Sequence, residues 1–512
     1  MGQVLHSSVT TTEAVRRAIQ NNAVPITSVT GTGQAQERNY LNMSFFYKPV
    51  DGWAADFIPF YWDGEYHLFY LKDYRNKTEY GEGTPWFHLS TRDNVQFADH
   101  GEAIVRGKED EQDLYIFTGC VFEKDGLFHI FYTGHNPHLR AAGQPEQAVM
   151  QATSEDLITW TKNPTPIIFA DPEKYEIHDW RDPFVFWNEE AGEYWMLLAA
   201  RIKTGPINRR GITALVSSPD LVNWTIRDPF WMPDLYFTHE CPDLFKMGDW
   251  WYLVYSTFTE RNITHYRMSK SLAGPWLAPT NDAFDGRAFY AAKTASDGQR
   301  RFAYGWNPTR TNEEDTGRWN WGGSLVIHEV EQQPDGSLTV HMPQELVDEF
   351  KQDVPLEITP QMGQWQSDGD TWSVDVPSGF AWASIVEMPQ TSMLEATIQF
   401  DQNTRSAGII LRADETLDHY YQLRVEPGRN RIVFDRSPRP GDEPPIIERP
   451  VQLVEGQPVY IRVIVEGSII LAYVNDEVAL SARGYEHQGG SYGLFVSEGS
   501  ATFNRIEVRT ID

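Results

Sequence analysis

One pattern recurs five times and limits the folds open to this chain: a tight turn followed by a strand rich in aromatic and β-branched residues. It reads Asp63-Gly-Glu-Tyr-His-Leu-Phe-Tyr, Asp125-Gly-Leu-Phe-His-Ile-Phe-Tyr, Ala191-Gly-Glu-Tyr-Trp-Met-Leu-Leu, Gly248-Asp-Trp-Trp-Tyr-Leu-Val-Tyr and, more weakly, Gly298-Gln-Arg-Arg-Phe-Ala-Tyr-Gly. Successive copies lie about 50 to 65 residues apart. Between them a second element repeats, in Ser90-Thr-Arg-Asp-Asn-Val-Gln-Phe, Ser154-Glu-Asp-Leu-Ile-Thr-Trp, Ser217-Ser-Pro-Asp-Leu-Val-Asn-Trp and Ser269-Lys-Ser-Leu-Ala-Gly-Pro-Trp. Blades of about four antiparallel strands produce this double periodicity, each blade covering the apolar face of the next around a common axis. The chain is thus predicted to be all-β, with a five-bladed β-propeller over residues 46–346.

The texture changes after a charged stretch at 347–355, read as a linker. Alternating strands such as Leu394-Glu-Ala-Thr-Ile-Gln-Phe400 and Tyr420-Tyr-Gln-Leu-Arg-Val, with the hairpin around Glu466-Gly-Ser468, predict a β-sandwich over 356–512. No catalytic constellation is visible there, so the sandwich reads as a buttress, a second sugar-binding module being the alternative. Residues 1–45 read as an arm in which Thr12 caps a short helix with Val15, Ala18 and Ile19 on one face.

A formal net charge of −29 argues against nucleic acid or an anionic membrane as partner, since no run of Lys or Arg offers a local exception. Two cysteines, Cys120 and Cys241, make neither a disulfide framework nor a four-ligand zinc site. The N-terminus lacks a basic start and an apolar run of about 7 to 15 residues, and no apolar stretch reaches about 18 residues. These features predict a soluble, cytoplasmic protein without metal or cofactor. Homo-oligomerisation is left open.

A propeller gathers the first strands of all its blades around one axial cavity, so acids far apart in sequence can meet there. Asp56 stands ahead of one apolar run, Arg181 and Asp182 ahead of another in Trp180-Arg-Asp-Pro-Phe-Val-Phe186, and Glu240 ahead of a third in His239-Glu-Cys-Pro-Asp-Leu-Phe245. Two carboxyl groups facing one glycosidic bond suffice for its hydrolysis, one attacking the anomeric carbon and one protonating the departing oxygen. Asp56 and Glu240 fit those roles. Asp182 would then hold sugar hydroxyls, with Arg181 keeping it ionised. Two structural readings stay open: Arg181 and Asp182 as an interblade ion pair, and Asp243 rather than Glu240 as the working acid.

These motifs resemble those of glycoside hydrolase family 32, the β-fructofuranosidases, over nearly everything from residue 46 to the C-terminus. The family's Arg-Asp-Pro motif is matched by Arg181-Asp182-Pro183 and its Glu-Cys motif by Glu240-Cys241. Its Phe-Ser-Gly-Ser element is recognisable in Phe117-Thr-Gly-Cys120, and a late Asp-x-Gly-x-x-Phe-Tyr-Ala segment in Asp285-Gly-Arg-Ala-Phe-Tyr-Ala291. The resemblance implies a five-bladed propeller followed by a sandwich, and a metal-free, retaining double displacement on β-linked fructofuranosyl units of an oligosaccharide. It implies Asp56 as nucleophile, Glu240 as acid/base and Asp182 as transition-state stabiliser.

The departure lies at the nucleophile. Where the family usually carries Trp-Met-Asn-Asp-Pro-Asn-Gly, this chain has Trp53-Ala-Ala-Asp-Phe-Ile-Pro59; Trp-Gly-His becomes Trp86-Phe-His88, and Tyr70-Leu-Lys-Asp-Tyr-Arg75 brings charge into a usually neutral run. Trp53, Trp86, Phe117 and Trp306 are candidate cavity walls, and Lys72, Asp73 and Arg75 either rebuild the sugar site or form a solvated, salt-bridged loop. Short fructo-oligosaccharides or fructosides are the expected substrates. A fructosyltransferase or difructose-anhydride enzyme with the same residues, a pentofuranosidase and a catalytically silent sugar-binding propeller are the alternatives.

Overall fold

The structure, a computed structural model, describes residues 45–511 except Gln402 and Pro440. The arm and helix expected over 1–45 lie outside the described residues but for Phe45. As the repeat predicts, five blades surround an axis. Blade I comprises Trp53–Trp62, Glu65–Asp73, Trp86–Thr91 and Phe97–Ile104; blade II Tyr115–Lys124, Leu127–His135, Gln147–Ser154 and Thr161–Lys162. Blade III comprises Tyr175–Asn188, Glu193–Ile202, Gly211–Ser218 and Thr225–Ile226. Blade IV has Glu240–Met247, Trp250–Thr257 and Ile263–Ser269, with two isolated bridges, Met268 to Leu277 and His265 to Ala283, where a fourth strand would lie. Blade V has Tyr290–Ser296, Arg301–Arg310, Trp319–Gln332 and Leu338–His341. The first strand of each blade packs against the first strands of both neighbours, which places it on the axis.

Both sequence repeats have a local cause. The first is the hairpin between a blade's first two strands, where Asp63-Gly64 and Asp125-Gly126 adopt positive φ at both positions (48° and 82°; 54° and 82°), matching strand twist. The second closes the third strand of blades I to III. Oδ1 of Asp93 accepts from the backbone N–H groups of Val95 and Gln96, and Asp156 and Asp220 do the same for the residues two and three positions on.

The ring closes where Ala54 of blade I pairs with Gly323 of blade V, which merges those two blades into one eight-stranded sheet. Beyond blade V, one sheet of 13 strands folds into the sandwich around a core that includes Leu394, Ile409, Leu423, Ile461 and Leu494. Among the described residues no helix is long and apolar enough to cross a membrane.

The segment expected to be a linker is instead a packed joint. Leu346, Val347 and Phe350 are buried in a cluster shared with Met393, Ile464, Leu471 and Tyr473 of the sandwich, and Gln352–Asp353 pairs with the strand end Arg509–Thr510. Polar groups reinforce this contact from inside. Asp285, with no exposed surface, accepts from the Ser481 N–H at 2.7 Å and contacts His328 Nε2 at 3.0 Å, while His328 Nδ1 meets the Tyr473 hydroxyl at 2.8 Å. Burial pushes the Asp285 carboxyl up, but His328, Arg449 and the Gly286 N–H outweigh it, so its pKa is lowered. Asp285→Ala would leave buried donors from both domains without a partner. We expect a loss of about 3–5 kcal/mol, read from the guanidinium unfolding midpoint, with both domains affected together.

Candidate active site

The same irregularity occurs in the first strand of every blade. Register with the second strand slips at Ala55/Ile58, Phe117/Gly119, opposite Leu197/Ala199, at Glu240/Asp243 and at Tyr290/Lys293. These are β-bulges, which bend a strand and re-aim its side chains. In four of the five the bulge holds a non-glycine residue at positive φ: Asp56 (45°), Asp182 (59°), Cys241 (52°) and Ala291 (49°). Left-handed backbone at such residues is strained, and strain of this kind collects at functional sites. Asp56 and Asp182 therefore sit inside their strands, not ahead of them as the sequence suggested, and Glu240 opens its strand.

Bulges at equivalent heights bring residues from all five blades together around the axis. Asp56 accepts from Thr118 Oγ1 at 2.6 Å and from Trp306 Nε1 at 3.1 Å. Asp182 accepts from the Cys241 N–H at 2.9 Å and is itself held by its N–H to Thr133 Oγ1 at 2.7 Å. Glu240 accepts from Arg181 Nη2 at 2.8 Å and from the Tyr290 hydroxyl at 2.5 Å. All three acids line one cavity of about 690 Å³, walled by Phe117, Tyr290, Trp306, Trp319 and Trp321 among others.

The electrostatics follow from three acids around one guanidinium. Burial pushes the Asp56 carboxyl up to about 7, with Thr118 pulling down and the charges of Asp182 and Glu240 pushing up. Burial likewise takes Asp182 up to about 6, against the opposing pull of Arg181. The Arg181 pKa is raised: burial would lower it, but Glu240, Asp182 and Asp179 more than compensate. Asp56 and Asp182, each pushed up by burial, share one low-dielectric site and influence each other's titration.

Arg181 does make an interblade ion pair, with Glu240, and its guanidinium also lies 2.8 Å from Asp179 and 3.8 Å from Asp182. Asp243 does not line the cavity; it is buried and accepts from Thr294 N and Oγ1 at 2.7 Å each, fastening blade IV to blade V.

Of the candidate wall residues, Phe117, Trp306 and Asp73 line the cavity. Trp53, Trp86 and Lys72 do not, which corrects the sequence reading. Trp86 has no exposed surface and gives its indole N–H to the Phe117 carbonyl, because its strand is the third of blade I and lies two positions out from the axis. Lys72 is buried with its ammonium over the Phe87 and Tyr74 rings, and Trp53 stacks under Lys48 and Arg75. Thr118, Tyr290, Trp319 and Trp321 were missed, although Thr118 and Tyr290 lie within motifs already quoted.

The match to known proteins is as specific as this geometry. The sequence model of the Glycosyl hydrolases family 32 N-terminal domain matches residues 46–336, and that of the family 32 C terminal matches 366–510. The chain belongs to glycosyl hydrolases family 32. It is a glycoside hydrolase. A sucrose-6-phosphate hydrolase of Zymomonas mobilis is 26% identical over 91% of each chain, and the levanbiose-producing levanase of Bacillus subtilis 24% identical over 94% of this chain and 93% of its own. Fructan 1-exohydrolase IIa from Cichorium intybus shares the fold with a TM-score of 0.69 at 16% identity, covering 91% of this chain and 96% of its own. The sucrose-6-phosphate hydrolase from Lactobacillus gasseri does so with a TM-score of 0.68 at 17% identity, covering 92% and 93%.

Within this family the charged run after blade I's second strand takes on a structural meaning. Arg75, itself at φ 58°, donates to Asp73 Oδ2 at 3.3 Å and to the carbonyls of Trp321 and Gly322 at 3.0 and 3.3 Å, and covers the Trp53 ring at 4.6 Å. It ties the rim of blade I to the blade V strand that carries Trp319 and Trp321 into the cavity. Arg75→Ala is expected to raise KM about tenfold while leaving kcat nearly unchanged, since the tie positions binding surface and touches no carboxyl of the triad. Steady-state kinetics on one short substrate check this.

Proposed function

We propose that this chain is a retaining β-fructofuranosidase acting on short, neutral fructosides. One observation carries the reading: Asp56 and Glu240, on the bulges of blades I and IV, open into one cavity with Asp182 and Arg181 between them in blade order. Asp56 attacks the anomeric carbon as Glu240 gives its proton to the departing oxygen, leaving a covalent fructosyl ester. Arg181 and Tyr290 then stabilise the Glu240 carboxylate so formed. That carboxylate takes a proton from water as the water attacks the anomeric carbon, which breaks the bond to Asp56 and returns Glu240 to its starting state. Asp182, held by the Cys241 N–H, accepts from ring hydroxyls. Configuration is retained, which NMR of the first-formed product anomer tests; an inverted anomer would remove Asp56 as nucleophile.

Neutral substrate is inferred from charge. The cavity is lined by Asp56, Asp73, Glu82, Asp182 and Glu240 against Lys77 and Arg181, and Lys77 is already engaged with Tyr115 and Glu82. Burial lowers the His135 pKa to about 4, so this ring is neutral at pH 7. A phosphate dianion entering such a site meets net repulsion. Although several relatives are sucrose-6-phosphate hydrolases, kcat/KM for sucrose is expected to exceed that for sucrose 6-phosphate by about tenfold or more. The reverse order, measured side by side at one ionic strength, would overturn the neutral assignment.

A further inference from the structure

A hollow of about 1030 Å³ lies away from the catalytic cavity, on the outward face of the sandwich. Its floor is built by Ser406–Ala413, Tyr420–Glu426 and Arg431–Ser437, with parts of Thr371–Glu387 and Ser491–Thr510. Strand alternation sends Ala407, Ile409, Leu423 and Val425 into the core and turns Ser406, Gln422, Arg424 and Glu426 to the other side. A solvated sheet face would leave those charges in water. Here Arg424 and Glu426 are each 9% exposed, sunk in a concave surface that nothing among the described residues covers.

We propose that this hollow is a second saccharide-binding site, taking the neutral, hydroxyl-rich end of a carbohydrate chain. Three observations select that ligand class. The charges are already matched: Arg424 pairs with Glu426 and Asp435, Arg431 with Glu426 and Glu448, Arg439 with Asp435, and Arg405 with Glu498. An anion would have to displace a carboxylate from a formed pair, whereas a hydroxyl can accept from guanidinium N–H groups left over and donate to carboxylate lone pairs left over. Second, Ser406, Tyr420, Gln422 and Ser497 line the hollow, and their side chains make no hydrogen bond to any described residue, although Ser406 and Ser497 stand directly opposite each other across the strands. Third, Phe380 and Phe495 stack at one end with centroids 5.8 Å apart, giving an apolar wall for the C–H face of a sugar ring.

The test titrates the full chain carrying Asp56→Asn with a neutral fructo-oligosaccharide, a neutral xylo-oligosaccharide and polygalacturonate, by calorimetry. The expected result is two sites per chain for at least one neutral saccharide. Adding Gln422→Ala and Tyr420→Ala should weaken one of them about tenfold or more. The same pair of changes in the otherwise unaltered enzyme should leave its melting temperature and its kcat/KM on sucrose in place. A single site for every neutral saccharide, a second site indifferent to the paired change, or tighter binding of the polyanion would each overturn the proposal. Its failure is separable from that of the catalytic reading: loss of all fructosidase activity with two neutral sites retained counts against the latter alone, and hydrolysis with one site counts against the former alone.

Discussion

Asp56→Asn is expected to lower kcat by about 10⁴-fold or more while leaving the fold in place. Asn is the informative replacement because position 56 is left-handed, a backbone that Asn tolerates well, and its amide can keep the hydrogen bonds to Thr118 and Trp306. The variant should also be more stable than the parent at pH 8. The Asp56 carboxyl is shifted from 3.8 to about 7 in the folded chain, upward and by burial first, so folding favours its protonated form. Its contribution is fully present below about pH 4 and is lost as pH rises through 7, to a ceiling of about 4 kcal/mol. Calorimetry at pH 8 should therefore show the variant melting higher, with the gain gone at pH 4. An inactive variant that melts lower at pH 8 would make Asp56 a structural residue.

Glu240→Gln should cost about 10² to 10⁴-fold in kcat on substrates with a poor leaving group and far less on an activated aryl fructoside, whose departing oxygen needs no proton. The amide keeps an oxygen for Arg181 or Tyr290, so the cavity should hold its shape. Two further signatures separate an acid/base from a mere ligand. Added azide should restore turnover on the aryl substrate, because the fructosyl ester no longer depends on a base to be resolved. The basic limb of kcat/KM should flatten, since the group whose proton loss ends turnover there is gone. A limb that stays put, with equal losses on both substrates, would remove Glu240 from this role.

What the sequence disclosed and what it hid divide along one physical line. The repeats were legible because hairpin turns and the aspartate turns after third strands need particular residues locally, as at Asp63-Gly64 and Asp156. The acids were legible because each sits in a short motif of its own. The bulges were not, since a single extra residue in an apolar strand leaves no compositional trace; the place of Asp182 inside its strand depends on its neighbours Arg181 and Phe184 pairing with Ala199 and Leu197 across the hairpin. Aromatic walls were the weakest reading. Trp86 and Trp306 look alike in sequence, yet one is filler between strands and the other donates to Asp56, a difference set by distance from the axis. Arg75 was ambiguous because its partners Trp321 and Gly322 lie some 246 and 247 positions away.

The contact between the two halves of the molecule reaches further than its area suggests. Arg483 of the sandwich donates to the Ser324 hydroxyl and to the carbonyls of Pro308 and of Asn307, the residue after the tryptophan that donates to Asp56. A graft that exchanged the C-terminal half for one without an arginine at this place would arrive without this clasp. The swapped enzyme would bind sugar in a cavity whose rear wall had lost its brace, and it would be recognised by a slower turnover long before any loss of solubility.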